Sequence, residues 1–343
     1  LKPLTLAVNP AKYLIVGPSW VGDMVMAQSL CKVLKAQQPE ASIEVLAPPW
    51  SAALLARMPE VSASVVQPLG HGQLGLFARY QLGKHLRGRG YTQALVLPNS
   101  FKSALVPFWA RIPRRIGYVG EWRYGLLNEA RVLQPQVLRR TVDRFVALAL
   151  PVAAALPTLP IPRLQASGPG GQAACAKLGL SVDRPVLGLC PGAEYGPAKR
   201  WPTAHYAAVA RQHLRSGGQV WLFGSAKDAP VGAQIAAEAG AGCVDLCGRT
   251  SLAEAIDLLA LTSAVVSNDS GLMHVAAALD KPLVALYGSS DPGFTPPLSP
   301  RARVLSLNLS CSPCFKRECP LGHLHCLTDL TPDQVNRTLA ALQ

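Results

Sequence analysis

Charged side chains are scarce in this sequence of 343 residues, at 15%, and acidic ones most of all, with 20 Asp and Glu against 33 Lys and Arg. So few charges beside 49% hydrophobic residues exclude a disordered chain. No apolar run reaches the roughly 18–20 residues that would span a bilayer. The longest, from Phe145 to Leu156, is interrupted by Pro151 and reads as a buried helix end. Leu1 to Ala11 holds one Lys and no sustained apolar stretch, so it does not read as a signal peptide, and the expectation is a cytosolic protein. There is no Walker A loop and no solenoid period. Gly70-His-Gly72-Gln-Leu-Gly75 fits G-x-G-x-x-G, but no acidic residue lies about 20 positions on to bond a ribose, which leaves it as a turn.

The positive charge is unevenly placed. Residues 1–150 hold 18 Lys and Arg against 7 Asp and Glu, while residues 151–343 hold 15 against 13. All but one of the basic residues from Lys102 to Arg144 are Arg, the side chain suited to bidentate phosphate contacts. Such a field draws in nucleic acid, an anionic membrane surface or a phosphorylated substrate; the alternative is a solvated surface that keeps the protein soluble.

A chain of this length is too long for one ordinary core. Short apolar runs alternate with helical patterns in each half, beginning with Tyr13–Gly17 and the helix that follows it, and beginning again at Val186–Cys190. Between the halves, Leu156 to Gln172 is rich in Pro and Gly. The expected architecture is α/β, with two doubly wound, Rossmann-like domains facing a central cleft: residues 1–160, a linker over 161–172, and residues 173–343.

In open parallel sheets ligands bind beyond the carboxyl ends of strands. Asn268-Asp269-Ser270-Gly271 lies there, with small residues opening a helix whose first N–H groups can point at a phosphate. Gly271 has no Cβ to obstruct the approach, Ser270 adds a hydroxyl, and His274 follows one turn on. Asp269 suits sugar hydroxyls better than phosphate. The competing reading is a plain N-cap by Asp269 or Ser270. In a second strand-end loop Lys199 places a cation for a diphosphate leaving group; the sequence has no Asp-x-Asp pair of the kind with which many sugar transferases hold a metal. In a third, Asp228 either accepts from a ribose or caps a helix. Asp23, opening the first helix, either caps it or serves as a general base, kept ionised by the helix N-terminus.

Cys311, Cys314, Cys319 and Cys326 fall within one short segment, with His323 and His325 inside the last gap. This is spacing for a structural zinc or iron, or four reduced cysteines in a loop.

GPSWVGDMVMAQSL (17–30), LPNSFKSALVPFWARIPRRIGY (97–118), RYGLLNEARVL (123–133), CPGAEYGPAKRWP (190–202), LFGSAKD (222–228) and NDSGLMHVAAALDKPLVALYG (268–288) resemble the lipopolysaccharide heptosyltransferases, glycosyltransferase family 9. The similarity covers about Tyr13 to Leu309. It implies a GT-B fold and inverting transfer with no catalytic cofactor or metal. It also implies an ADP-heptose donor in the C-terminal domain and a phosphorylated heptosyl-Kdo-lipid A acceptor at the N-terminal one. By the match, Asp23 is the catalytic base, Lys199 the diphosphate lysine, Asp269-Ser270-Gly271 with His274 the donor-binding helix start, and Asp228, more loosely, a ribose contact. Lys102, Arg111, Arg114, Arg115 and Arg123 lie in the matching N-terminal segments and are the candidates for the anionic acceptor. Peripheral contact with the inner face of the inner membrane is implied too. The cysteine cluster is missing from some close relatives of the family, which places it outside the transfer chemistry. Two other readings are carried forward: a nucleotide-sugar epimerase on the same fold, and a basic module gripping nucleic acid, for which only weak, non-specific binding is expected.

Overall fold

The computed structural model describes residues 10–70 and 72–342. Most of the segment tested above for a signal sequence, and His71 of the glycine-rich turn, lie outside the described residues. The chain forms two compact units. Unit 1 runs to Ser19 and resumes over Met26–Pro160; unit 2 comprises Trp20–Val25 and Ile161–Gln343.

Unit 1 contains β1 (Lys12–Val16), α1 (Val21–Gln37, its first turn counted with unit 2), β2 (Ser42–Ala47), α2 (Ala52–Leu55), β3 (Ala63–Val66), α3 (Leu76–Leu86), β4 (Gln93–Val96), α4 (Leu105–Trp109), β5 (Arg114–Tyr118), β6 (Glu129–Arg131) and α5 (Thr141–Ala147). Its strands make one parallel sheet in the order β3-β2-β1-β4-β5-β6. Leu14, Val16, Val96 and Leu46 fill its core.

Unit 2 contains α6 (Gly168–Leu178), β7 (Val186–Cys190), α7 (Thr203–Arg215), β8 (Gln219–Leu222), α8 (Ala229–Ala239), β9 (Cys243–Asp245), α9 (Leu252–Leu261), β10 (Ala264–Asn268), α10 (Gly271–Ala278), β11 (Leu283–Leu286), β12 (Ala302–Leu305), α11 (His325–Thr328) and α12 (Pro332–Ala340). The sheet order is β12-β11-β10-β7-β8-β9, again all parallel. Read from the other edge, it repeats the order of unit 1. Every residue of β7 and β10 is buried, as expected for central strands covered on both faces. The α/β class with two doubly wound units is thus observed.

One expectation needs correction. The stretch read as a linker over 161–172 already turns helical at Gly168. Ser167 caps α6 by accepting from Gly170 N, Pro169 sits in the first turn, and Ser167 N donates to Asp257 Oδ1 of α9 at 2.8 Å. Pro and Gly read as loop punctuation there, yet Pro is equally at home in a first helical turn. The run Phe145–Leu156 does hold a helix end, as expected: α5 stops at Ala147, before Pro151, with Phe145 and Val146 buried. Among the described residues no helix is long and apolar enough to cross a membrane.

Candidate active site

The sheet of unit 2 reverses its direction of strand addition between β10 and β7, so the loops leaving these two strands flank the switch point. Asn268, at the end of β10, is fully buried and acts as a stitch. Its Nδ2 donates to Pro191 O at 2.6 Å, and its Oδ1 accepts from Trp201 N at 3.1 Å and Tyr206 Oη at 3.0 Å. This ties the loop over 191–202 to the start of α10 and brings together two groups distant in sequence. Lys199 Nζ lies 2.6 Å from Asp269 Oδ2, with the carboxylate largely buried. Capping does not explain the helix start: Ser270 is the N-cap residue of α10 but makes no side-chain cap hydrogen bond.

The first turn of α1 belongs to the same group. A Cβ on Gly271 would stand 2.7 Å from Val21 Cβ, and one on Gly22 only 2.5 Å from His274 Cδ2. Gly271 is therefore required by packing against α1, a different reason from the open approach expected from sequence. His274 is buried beneath Gly22, and burial, with the Lys199 charge adding to it, brings its imidazole down to about 4. It is neutral near pH 7 and supports the turn that carries Asp23. Asp23 itself departs from expectation. Burial first, and the charge of Asp269 second, push its carboxyl up to about 6 against the pull of Lys199. Desolvation outweighs the helix dipole that was expected to keep it low. A carboxyl that titrates at about 6 and is mostly ionised near neutral pH, beside a Lys–Asp pair at a helix start, can take a proton from an entering nucleophile while the cation meets a departing phosphate.

A profile of glycosyltransferase family 9 (heptosyltransferase) matches residues 79–325. The chain belongs to this family. It is 52% identical over 341 residues to lipopolysaccharide heptosyltransferase 2 of Salmonella typhimurium, covering 96% of this chain and 98% of that one. The structure of E. coli ADP-heptose lps heptosyltransferase II matches with a TM-score of 0.86 at 48% identity, over 96% of this chain and 98% of that one. A family 9 glycosyl transferase from Veillonella parvula reaches the same TM-score, 0.86, at 18% identity, over 97% of each chain, a likeness of fold alone.

Within this family 9 chain the other candidates separate. Asp228 follows the capping alternative: its Oδ2 accepts from Ser225 N at 2.9 Å and Ser225 Oγ at 2.7 Å, and the side chain is buried. The cap uses Oδ2; Oδ1 lies 3.9 Å from Arg200 Nη2. The five basic candidates of unit 1 do not form one patch. Lys102 follows the carboxyl end of β4, the ligand rim of that sheet, whereas Arg114 and Arg115 open β5 at the opposite rim. Arg114 pairs with Glu129 at 2.7 Å, and Arg115 donates to Leu126 O and Ile112 O. Arg111 is exposed in a left-handed turn. Arg123 is buried, and its guanidinium donates to the carbonyls of Pro98 and Tyr118 and to Ser103 Oγ. Burial brings it down to about 10, still charged.

Arg123 thus holds loops together rather than a ligand. Arg123→Ala leaves those carbonyls without a donor, at about 1–3 kcal/mol each. It is expected to lower Tm by roughly 5–10 °C, while Lys102→Ala leaves Tm unchanged. Equal melting of both variants in calorimetry would return Arg123 to the ligand candidates.

Two polar residues at this rim that the sequence reading did not single out lie in the loop after β11. Ser289 and Ser290 are buried at the same rim of the sheet, and their hydroxyls have no hydrogen-bond partner among the described residues. Their position just beyond a strand end was the available signal.

Proposed function

We propose that this chain transfers L-glycero-D-manno-heptose from ADP-heptose to a heptosyl-Kdo-lipid A inner core in lipopolysaccharide biosynthesis, with inversion at the anomeric carbon and no catalytic metal. The observation that carries the mechanism is the grouping of Asp23, Lys199 and Asp269 at the opening of α10. An acceptor hydroxyl attacks the anomeric carbon in line as the bond to the diphosphate oxygen breaks. Its proton passes to the Asp23 carboxylate, and ADP leaves with the bonding electrons. Lys199 and the first N–H groups of α10 offset the charge that develops on the diphosphate. Asp269 orients Lys199 and accepts from hydroxyls of the sugar. A single displacement inverts the configuration.

The donor fits unit 2, where these groups lie. The basic excess of residues 1–150 fits an anionic, phosphorylated acceptor presented at the inner face of the inner membrane, where the protein acts as a peripheral enzyme. The test is incubation with ADP-heptose and purified core acceptors. Mass gain of one heptose on the acceptor, with one ADP released per transfer and the opposite anomeric configuration by NMR, is the expected result. Donor consumed without any acceptor modified would overturn the assignment in favour of hydrolysis or epimerisation.

A further inference from the structure

Residues 306–324, between β12 and α11, contain no helix or strand. Ordering a segment of this kind costs about 1–2 kcal/mol per residue in backbone entropy, which side-chain burial ordinarily offsets. Here burial is meagre: Phe315 and Leu321 are exposed. Structureless loops this long inside a compact domain are uncommon without a function or a local staple.

The loop does enclose one small cavity. Cys311, Cys314, Cys319 and Cys326 all line it, together with Ala198 and Ser289. All four cysteines are free thiols, and Cys326 is buried. Ala198 is the residue before Lys199. The loop is also bonded directly to the segment that presents that lysine. Ala198 N donates to Arg317 O at 3.0 Å, and Tyr195 Oη donates to Phe315 O at 2.8 Å. On the side of β11, Phe315 N donates to Ser289 O at 2.7 Å, and Ser312 Oγ donates to Gly288 O.

We propose that Cys311, Cys314, Cys319 and Cys326 bind one zinc ion, and that this ion holds the loop against which the Lys199 segment is braced. Four thiolates are a soft donor set suited to tetrahedral zinc, and structural zinc sites of this kind contribute folding free energy directly. As the side chains stand, no three His, Cys, Asp or Glu residues among the described residues meet at one ion. Binding therefore requires the four cysteines, which all line the cavity, to draw together around the ion. Four thiols release four protons to solvent as the ion enters, leaving a net charge of −2 at the site. Lys316 and Arg317 in the same loop carry the opposite charge, and Glu318 beside them the same charge. The metal site stands independently of the transfer reading; its effect on donor binding rests on it.

The test uses the full chain, expressed with zinc in the medium and purified without chelator. Elemental analysis is expected to give about one zinc per chain. Replacement by cobalt should produce the visible bands of thiolate-bound tetrahedral cobalt, and Cys314→Ser and Cys319→Ser should lose most of the metal. Stripping zinc from the unaltered chain, which does not depend on the variants folding, is expected to weaken ADP binding by roughly tenfold or more, with recovery on adding zinc back. Well under about 0.2 zinc per chain after anaerobic reduction and reconstitution overturns the site, as does a native mass showing disulfides among these cysteines. Zinc at full occupancy with ADP affinity unchanged by stripping overturns the bracing role alone. Zinc-loaded protein that does not bind ADP at all counts against the transfer reading and leaves the site intact.

Discussion

Asp23→Asn is expected to reduce turnover by about 10²-fold or more while leaving ADP-heptose binding nearly unchanged, because it removes the proton acceptor and little else. The same substitution is expected to stabilise the protein above pH 6. The folded carboxyl titrates at about 6, above its unfolded value of roughly 3.9, so the native state holds its proton more tightly. Stability from this group is fully present below the unfolded value and is lost as pH rises through the folded one. At pH 8 the loss amounts to at most about 3 kcal/mol, and Asn does not incur it. Melting curves of both proteins should therefore coincide near pH 4 and separate progressively up to pH 6–7. A base that must be ionised also sets the acid limb of the rate profile: kcat/KM should fall about tenfold per pH unit below 6. Asp269→Asn removes the anion that raises Asp23 and should move that limb to lower pH. A variant with near-normal turnover and an unshifted limb would remove Asp23 from the base role.

The strands and helices of both sheets were legible because central parallel strands are continuous apolar runs and their helices keep a helical period. What was not legible lay at the edges. β6 and β12 are short and partly exposed, so neither shows the apolar run that betrays a central strand. In the site, the residue types and their places just past strand ends could be read directly. Their partners could not. That Asp269 is paired with Lys199 depends on Asn268 fastening two loops, a contact between residues far apart in sequence. The pKa of Asp23 was misjudged for a related reason: the helix position is local and visible, whereas the burial and the charge of Asp269, far along the chain, are not. Arg123 shows the reverse error. An Arg in a basic run suggests a ligand, and only the fold shows its guanidinium occupied by carbonyls.

Lys199→Met is expected to lower kcat/KM by about 10²–10³-fold, the loss typical of removing one preorganised charge donor from a developing anion. Two effects are folded into that number. The diphosphate loses its cation, and Asp269, largely buried, loses the partner held at 2.6 Å and is left to repel the donor. The double variant Lys199→Met with Asp269→Asn separates them. If Lys199 serves only to neutralise Asp269, removing both should restore most of the activity. If it acts on the leaving diphosphate, the double variant should regain ADP affinity, since the repulsion is gone, yet remain slow in kcat, since nothing meets the departing charge. Lys199→Arg is not expected to rescue, because a planar fork does not place its charge where a compact ammonium does. Calorimetric ADP affinities and donor-saturated kcat values for the three variants decide between the two roles, and wild-type kcat in the double variant would withdraw Lys199 from the departure step.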